Sequence, residues 1–312
     1  MKHNKKNQTT ETGEVIASPH DKVVKVYLGE KETAESLFKE YLPAKITKNL
    51  DFNTLKISKD TFVDKKMSDY FSDILYQINL LNIPILIYFL IEHKSREERL
   101  TGFQVLKYMV GIWKLHLKQN EDAKTLPVII PIIIYHGPQK WKIDTHFISL
   151  FNAPDYLKEY IPDFSYNLQD ISSIPDKEIK GAVLLRILFK TLKYIFTPEL
   201  RYKLREILEL FLELKDKKKG TEYLEVLLRY LTRSARDLTE KELKETVTQV
   251  FEERGGDIMA TIAAKWIEEG EKKGMEKAKI ETARRMINDD YPIETIIKYT
   301  ELTEEEIKRL MN

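Results

Sequence analysis

Two apolar stretches in the first third of the chain have the residue spacing of β-strands. In Tyr70–Leu80 apolar side chains recur at every second position toward the end of the stretch, which is the period of a half-buried strand. The next stretch, Ile85–Glu92, is apolar on both faces and predicts a buried strand. The short connection Leu81-Asn82-Ile83-Pro84 predicts an antiparallel hairpin whose loop is centred between Asn82 and Ile83.

The chain after this hairpin alternates between helical and strand-like patterns. Ser95-Arg96-Glu97-Glu98 has the spacing of a capping box, which predicts a helix that runs to about Asn120. Val128–Tyr135 predicts a third buried strand, although Pro131 lacks an amide hydrogen and indicates an edge position or a bulge. With a further strand predicted over Phe164–Ile171, the order of elements indicates an α/β sheet covered by helices.

The two ends of the chain have different patterns. Residues 1–17 show no periodic apolar positions and are predicted to be a disordered leader. The amphipathic helix that follows ends before Pro43, because proline cannot continue it. From Pro175 onward the apolar spacing is helical, with breaks predicted at Asp216–Gly220 and at Gly255-Gly256. We therefore predict a mostly helical C-terminal region.

These patterns divide the chain into a domain over residues 18–255, with a helical extension from about residue 175, and a charged helical tail over residues 256–312. The tail ends in two short predicted helices, at a spacing that resembles a helix-turn-helix. The second helix begins with Thr303-Glu304-Glu305-Glu306, and acidic side chains are a poor surface for phosphates. We therefore favour oligomerisation of the chain with itself as the role of the tail.

The composition narrows the classes of function. The 312 residues include 51 Lys and Arg against 50 Asp and Glu, so contact with DNA must come from local patches of charge. The absence of cysteine excludes disulfides, thiolate metal sites and cysteine nucleophiles, and it fits a reducing cytoplasm. The sequence shows no apolar core of a signal peptide and no apolar run near the roughly 18 to 20 residues of a membrane helix. We predict a cytoplasmic protein without a membrane partner.

The candidate chemistry lies at the end of the second predicted strand. Glu92 and Lys94 are two positions apart and project to one face, whereas the His93 side chain projects to the other. In the predicted hairpin, residues that face each other have numbers that sum to 165, so Asp73 lies opposite Glu92. Facing side chains have Cβ atoms roughly 4.5 to 5.5 Å apart, close enough for two carboxylates to hold one cation.

This set of residues suits the hydrolysis of a phosphodiester. Mg²⁺, or Mn²⁺ in its place, prefers oxygen ligands, which Asp73, Glu92 and the backbone carbonyl of His93 would supply. Such a cation stabilises negative charge at phosphorus and lowers the pKa of a water, while Lys94 orients that water or helps to deprotonate it. An ion pair at a solvated strand end is the alternative for Glu92 and Lys94 alone. An acid at position 73, inside a strand-forming segment, favours the site.

Six segments of the chain, in one order, resemble a known family. Asp73, followed by Glu92-x-Lys94 at a strand end and then by a helix, resembles the PD-(D/E)XK nuclease core. Over roughly residues 18–255 the chain is similar to the recombination-promoting nucleases, which are also described as YhgA-like putative transposases. The segments that carry this resemblance are Ser18-Pro19-His20-Asp21, Thr61-Phe62-Val63-Asp64, Ser72-Asp73-Ile74-Leu75-Tyr76, Leu90-Ile91-Glu92-His93-Lys94-Ser95, Tyr108-Met109-Val110-Gly111-Ile112-Trp113 and Pro131-Ile132-Ile133-Ile134-Tyr135-His136-Gly137.

The resemblance implies a restriction-endonuclease-like mixed sheet flanked by helices, and a metal-dependent DNA endonuclease linked to recombination or mobile elements. It makes Asp73 and Glu92 metal ligands and Lys94 the catalytic lysine, with DNA as the partner. Gln104 and Tyr108 are four apart on the predicted helix and resemble the Q-x-x-x-Y element that contacts DNA in RecB-type nucleases. Asp21 begins the first helix of the family core, where it either holds a metal-bound water or is only the N-cap.

Two positions depart from the family pattern. Ser72 stands where the family has proline, and many relatives have glutamine where Lys94 stands. Neither departure removes a carboxylate. Two other functions remain open at this point: a transposase that joins strands by transesterification, and a catalytically inactive DNA-binding or assembly protein on the same fold.

Overall fold

The structure, a computed structural model, describes residues 19–58, 74–81 and 83–311 and contains a five-stranded sheet. The sheet lies in the order β1-β2-β3-β4-β5, antiparallel from β1 to β3 and parallel from β3 to β5. The strands are β1 (Leu50–Ile57), β2 (Ile74–Leu80), β3 (Ile83–Lys94), β4 (Val128–Tyr135) and β5 (Asn167–Asp170). The prediction of a mixed α/β sheet is confirmed.

Among the described residues, α-helices precede the sheet, lie between β3 and β4, and make up most of the chain after it. The α-helices of the described residues are α1 (Pro19–Leu28), α2 (Lys31–Tyr41), α3 (Ala44–Thr47), α4 (Thr101–Gln119), α5 (Val183–Tyr194), α6 (Leu200–Glu209), α7 (Lys217–Ser234), α8 (Glu240–Phe251), α9 (Glu253–Asn288), α10 (Ile293–Thr300) and α11 (Glu304–Met311). The predicted first helix is thus two helices, α1 and α2, and the second of them ends before Pro43 as expected. The helical C-terminal region is confirmed.

The hairpin of β2 and β3 has the predicted register. Six successive pairs, beginning with Ile74 opposite Ile91, have residue numbers that sum to 165, and the register shifts only at the loop end of the hairpin. If this register continued by one residue, position 73 would lie opposite Glu92. Asp73 itself lies outside the described residues, so its role stays a prediction.

Pro131 lies where β4 is unpaired on one side. β3 pairs with β4 along its whole length, whereas β5 pairs with β4 only from Ile132 onward. Within the described residues, β4 has no neighbouring strand on the β5 side at Pro131, so a residue without an amide hydrogen is tolerated there. The predicted edge position is correct for this part of the strand, and β5 pairs with the rest of β4.

The first strand, β1, has no counterpart among the predicted elements. Its sequence, L-D-F-N-T-L-K-I, does not alternate regularly between polar and apolar residues. Its pairing with β2 shifts between Asp51 and Lys56, as happens at a bulge. An edge strand with a bulge need not keep the two-residue period, and for that reason the hydrophobic pattern does not reveal it.

The capping box predicted at Ser95 is wrong. Helix α4 begins at Thr101, and the preceding residue, Leu100, makes no side-chain cap. The backbone carbonyl of Glu98 accepts from the amide and the hydroxyl of Thr101, while its carboxylate accepts a hydrogen bond from Lys94 Nζ. Ser95–Leu100 is therefore a loop that joins the end of β3 to α4, because the glutamate side chain binds a lysine instead of an amide.

Apolar side chains cover both faces of the sheet. Helix α4 packs on one face, over a buried cluster that includes Leu90, Val105 and Ile133. On the other face the ring of Phe38, from α2, stacks on Phe89 of β3 with centroids 4.2 Å apart. Because such rings and aliphatic side chains are buried on both faces of β3, its sequence is apolar at odd and at even positions alike.

Residues Val247–Asn312 form a second compact unit, distinct from Met1–Thr246. The break before α9 falls at Glu252, which has φ 51°, and not at the glycine pair 255–256, which lies inside the helix. Helices α10 and α11 are the two short helices predicted at the end of the tail, and Thr303 and Glu306 exchange the hydrogen bonds of a capping box. The small core that these helices share with α9 includes Ala283, Ile296, Leu302 and Ile307.

No helix of the described residues has the length and apolar character needed to cross a membrane.

The N-cap of α7 gives a first testable prediction. The carboxylate of Asp216 accepts hydrogen bonds from the amides of Lys218 and Lys219 at 3.1 and 3.0 Å. Asp216→Ala is expected to lower the free energy of unfolding by about 1 kcal/mol, because two amides of the first turn lose their acceptor. Urea unfolding measures this as a lower midpoint with an unchanged slope. The exposed control Glu121→Ala should change the free energy by less than about 0.5 kcal/mol; an equal loss in both variants would contradict the prediction.

Candidate active site

Glu92 and Lys94 end the central strand β3 and are buried. Their relative exposures are 4% and 8%, and Lys94 Nζ lies 3.2 Å from Glu92 Oε1. Alternation along the strand places both side chains on the face that α4 covers. Burial of a carboxylate and an ammonium costs several kcal/mol of desolvation, which pairing of the two charges offsets. Glu92 and Lys94 are therefore not the solvated ion pair of a strand end.

Gln104 of α4 connects the two charged side chains. Its Oε1 accepts from Lys94 Nζ at 2.6 Å, and its Nε2 donates to Glu92 Oε1 at 3.0 Å. The same Nε2 lies 2.6 Å from the hydroxyl of Tyr108, one helical turn further on. The structure therefore brings together Glu92, Lys94, Gln104 and Tyr108, as the spacing of four residues on one helix face predicts.

Glu98, which the sequence analysis did not place in the site, completes the contacts of Lys94. Its Oε2 accepts from Lys94 Nζ at 2.9 Å, from the loop between β3 and α4. Burial alone would lower the pKa of Lys94, but the charges of Glu92 and Glu98 outweigh burial and raise the pKa above its usual value. Lys94 is thus an ammonium at neutral pH. Lys94 and Glu98 are four residues apart, but Lys94 ends a strand and Glu98 lies in a loop, so the helical spacing rule gives no signal for this contact.

The second oxygen of Glu92 has the environment of a cation ligand. Within the described residues, Glu92 Oε2 is buried and accepts no hydrogen bond. A buried carboxylate oxygen without a donor is costly, and a bound cation is one way to satisfy it. No three Asp, Glu or His side chains of the described chain are grouped closely enough to hold a metal by themselves. A metal at Glu92 therefore needs a further ligand, for which Asp73, outside the described residues, remains the prediction.

The His93 side chain faces away from this cluster, as predicted. Its Nδ1 lies 3.0 Å from Asp21 Oδ1, and its ring stacks on His136 with centroids 4.7 Å apart. Asp21, in the first turn of α1, therefore lies on the face of the sheet opposite to Glu92. The structure does not bring the Asp21 side chain to the Glu92 cluster, and its contact with His93 gives it a partner that neither predicted role included.

Two histidines on this second face, His20 and His136, have lowered pKa values. Burial, with a smaller effect of the nearby His93, lowers the pKa of His20 to about 4 against the opposing charge of Asp21. Burial and the nearby His93 and His20 lower the pKa of His136 well below its usual value. For Asp21, burial would raise the pKa, but the hydrogen bond and charge of His93 lower it. His20 Nδ1 also lies 2.7 Å from the Tyr230 hydroxyl of α7.

The fold and the site together define the class of this protein. A mixed sheet flanked by helices, with a buried carboxylate and lysine at the end of its central strand, is a restriction-endonuclease-like α/β architecture. The chain belongs to the family of putative transposases described as YhgA-like, whose family model matches residues 18–222. No solved structure matches the chain significantly.

Three relatives from Escherichia coli (strain K12) are similar over much of the chain. The recombination-promoting nuclease RpnA is 26% identical over 293 residues, which are 93% of this chain and 96% of the relative. The inactive recombination-promoting nuclease-like protein RpnE is 24% identical over 314 residues, covering 95% of this chain and 98% of the relative. The recombination-promoting nuclease RpnC is 27% identical over 194 residues, 62% of this chain and 64% of the relative. These three relatives thus include two named as nucleases and one named as inactive.

Proposed function

We propose that this protein is a metal-dependent DNA endonuclease that hydrolyses phosphodiester bonds in recombination or in the movement of genetic elements. The observation that carries the proposal is the buried cluster of Glu92, Lys94 and Gln104, in which one carboxylate oxygen of Glu92 accepts no hydrogen bond from the described residues. The relatives named recombination-promoting nucleases support the same activity.

The metal ligands in this proposal are Asp73, Glu92 and the backbone carbonyl of His93, with Mg²⁺ or Mn²⁺ as the cation. Both ions take oxygen ligands, and Glu92 Oε2 is a buried oxygen that accepts no hydrogen bond from the described residues. When bound, the cation would supply positive charge to the phosphate and lower the pKa of a water. The register of β2 and β3 supports the choice of Asp73, because the same register continued by one residue would pair position 73 with Glu92.

Lys94 supplies fixed positive charge in this mechanism. Its raised pKa keeps it an ammonium at neutral pH, so it donates hydrogen bonds and stabilises negative charge, and it orients a water more readily than it removes a proton. Gln104 holds the Lys94 and Glu92 side chains in one geometry, and burial strengthens these contacts because the local dielectric is low. Tyr108 fixes the Gln104 amide from the next turn of α4.

Cleavage of supercoiled plasmid DNA tests the proposal. The purified full chain is expected to nick or linearise the plasmid with Mg²⁺ but not with a chelator, whereas Asp73→Ala and Lys94→Ala lose cleavage under both conditions. The exposed control Asp122→Ala, at the end of α4, should cleave like the unmodified protein. Cleavage that survives Asp73→Ala, or that proceeds in chelator, would refute the assignment of the site.

The same assay separates the two other functions. Joined products of strand transfer in place of free ends would identify a transposase, which the family description favours. Binding of DNA without cleavage under any condition would identify an inactive DNA-binding or assembly protein, for which the relative named as inactive is the supporting observation. Self-association through the charged C-terminal helices remains a separate proposal, which the sedimentation velocity of the full chain tests.

A further inference from the structure

Three acceptors of the described residues surround the Lys94 ammonium: it donates hydrogen bonds to two of them and forms an ion pair with the third. An ammonium carries three N–H groups and no acceptor. In the structure Nζ lies 2.6 Å from Gln104 Oε1, 2.9 Å from Glu98 Oε2 and 3.2 Å from Glu92 Oε1. A water or a phosphate oxygen can therefore bind this ammonium only if one of the three acceptors gives up its place.

Glu98 is the acceptor that is most easily displaced. Its side chain is 58% exposed, against 6% for Glu92, so water can solvate its carboxylate as soon as it leaves Lys94. Glu92 and Gln104 are also bonded to each other, from a strand and a helix, whereas Glu98 belongs to the loop between β3 and α4. Because one partner of this ion pair is exposed, water compensates for much of its loss, and bound DNA can offset the remainder.

We propose that Glu98 is a positioning residue that occupies Lys94 in the free protein and yields its place to a phosphate oxygen of bound DNA. The choice of ligand rests on the proposed function. A phosphate brought to Lys94 approaches the Glu98 carboxylate as well, and two negative charges repel each other, so the carboxylate turns into solvent as the phosphate binds. Glu98 thus weakens the binding of DNA whose backbone does not reach Lys94 and keeps the ammonium oriented until it does.

Equilibrium binding of a fluorescein-labelled DNA duplex to the full chain, in chelator, tests this proposal. Glu98→Gln is expected to bind about three- to fivefold more tightly than Glu97→Gln, because it loses the charge that competes for Lys94. Glu97 is the matched control, since it lies in the same loop but its carboxylate contacts the backbone amide of Lys142. Both variants gain one unit of net charge, so the general attraction of DNA cancels in the comparison.

A second pair of variants shows whether the effect acts through Lys94. In a Lys94→Gln background, which keeps N–H donors for Glu92, the additional change Glu98→Gln should bind DNA no more tightly than the additional change Glu97→Gln. Equal affinities of Glu98→Gln and Glu97→Gln with Lys94 present would overturn the proposal. A higher DNA affinity of Glu98→Gln that persists in the Lys94→Gln background would also overturn the proposal. Failure of every variant to bind the duplex would do the same.

Cleavage kinetics separate this proposal from the nuclease assignment. If the protein cleaves DNA, Glu98→Gln should lower KM by about the same three- to fivefold factor and leave kcat unlowered, whereas a large loss of kcat would make Glu98 part of the catalytic set and overturn the positioning role. Coupling between Glu98 and Lys94 in the binding assay, without cleavage by any variant, would support the positioning role while the nuclease function fails. Cleavage without that coupling would support the nuclease function and overturn the positioning role of Glu98.

Discussion

Glu92→Gln is expected to reduce Mg²⁺-dependent cleavage of plasmid DNA by at least about 100-fold, because residues that merely orient a metal ligand are already worth about 10- to 100-fold. The substitution keeps the size of the side chain but replaces one carboxylate oxygen by an amide nitrogen, which cannot bind a cation. It also removes the charge that helps to hold Lys94 in place at 3.2 Å. Both changes act on the same step, so saturating Mg²⁺ should not restore the lost activity.

Metal binding gives this prediction a second measurement. Titration of the full chain with Mn²⁺, followed by calorimetry, should show a site in the unmodified protein that Glu92→Gln weakens severely. Glu97→Gln is the control, since its carboxylate lies in the adjacent loop and contacts a backbone amide. Far-ultraviolet circular dichroism of each variant shows whether the sheet is intact. Unchanged Mn²⁺ affinity, or more than a tenth of the original cleavage rate, would contradict the role of Glu92 as a ligand.

The sequence predicted the part of the site that depends on strand geometry. A short loop fixes the register of a hairpin, and a period of two fixes the face of each side chain, so Glu92 and Lys94 on one face and His93 on the other followed from local rules. The spacing of Gln104 and Tyr108 on α4 is equally local. These predictions hold because few other arrangements of the same short segments are sterically available.

The sequence did not predict contacts that depend on competition between distant groups. Glu98 has the spacing of a capping residue, but the buried ammonium of Lys94 is a stronger partner than a helix amide. Asp21 looked like a residue of the Glu92 cluster or a cap, yet packing of α1 on the opposite face gives its carboxylate to His93. Such choices are decided by which elements meet in the folded chain, and no single stretch of sequence contains that information.

The histidines on the second face of the sheet predict a pronounced loss of stability in mild acid. His20 has a folded pKa of about 4, against about 6.5 in an unfolded chain, and the folded pKa of His136 is also well below its usual value. Below pH 6.5 the unfolded chain therefore binds protons that the folded chain excludes, so the free energy of unfolding falls as the pH falls. Between pH 7 and pH 5, His20 alone should cost about 1 to 2 kcal/mol, and His136 adds to the loss.

Asp21 does not offset this loss, because its folded pKa is lowered and the stability it contributes disappears only as the pH falls below about 4.

Urea unfolding in chelator at a series of pH values from 7 to 5 measures the loss of stability. His136→Phe replaces a ring that stacks on Phe196 by an apolar ring, and it should flatten the dependence on pH. His146→Gln is the control, since that imidazole is 60% exposed and should leave the slope unchanged. A slope that His136→Phe does not alter would show that His136 takes up its proton as easily in the folded chain as in the unfolded one.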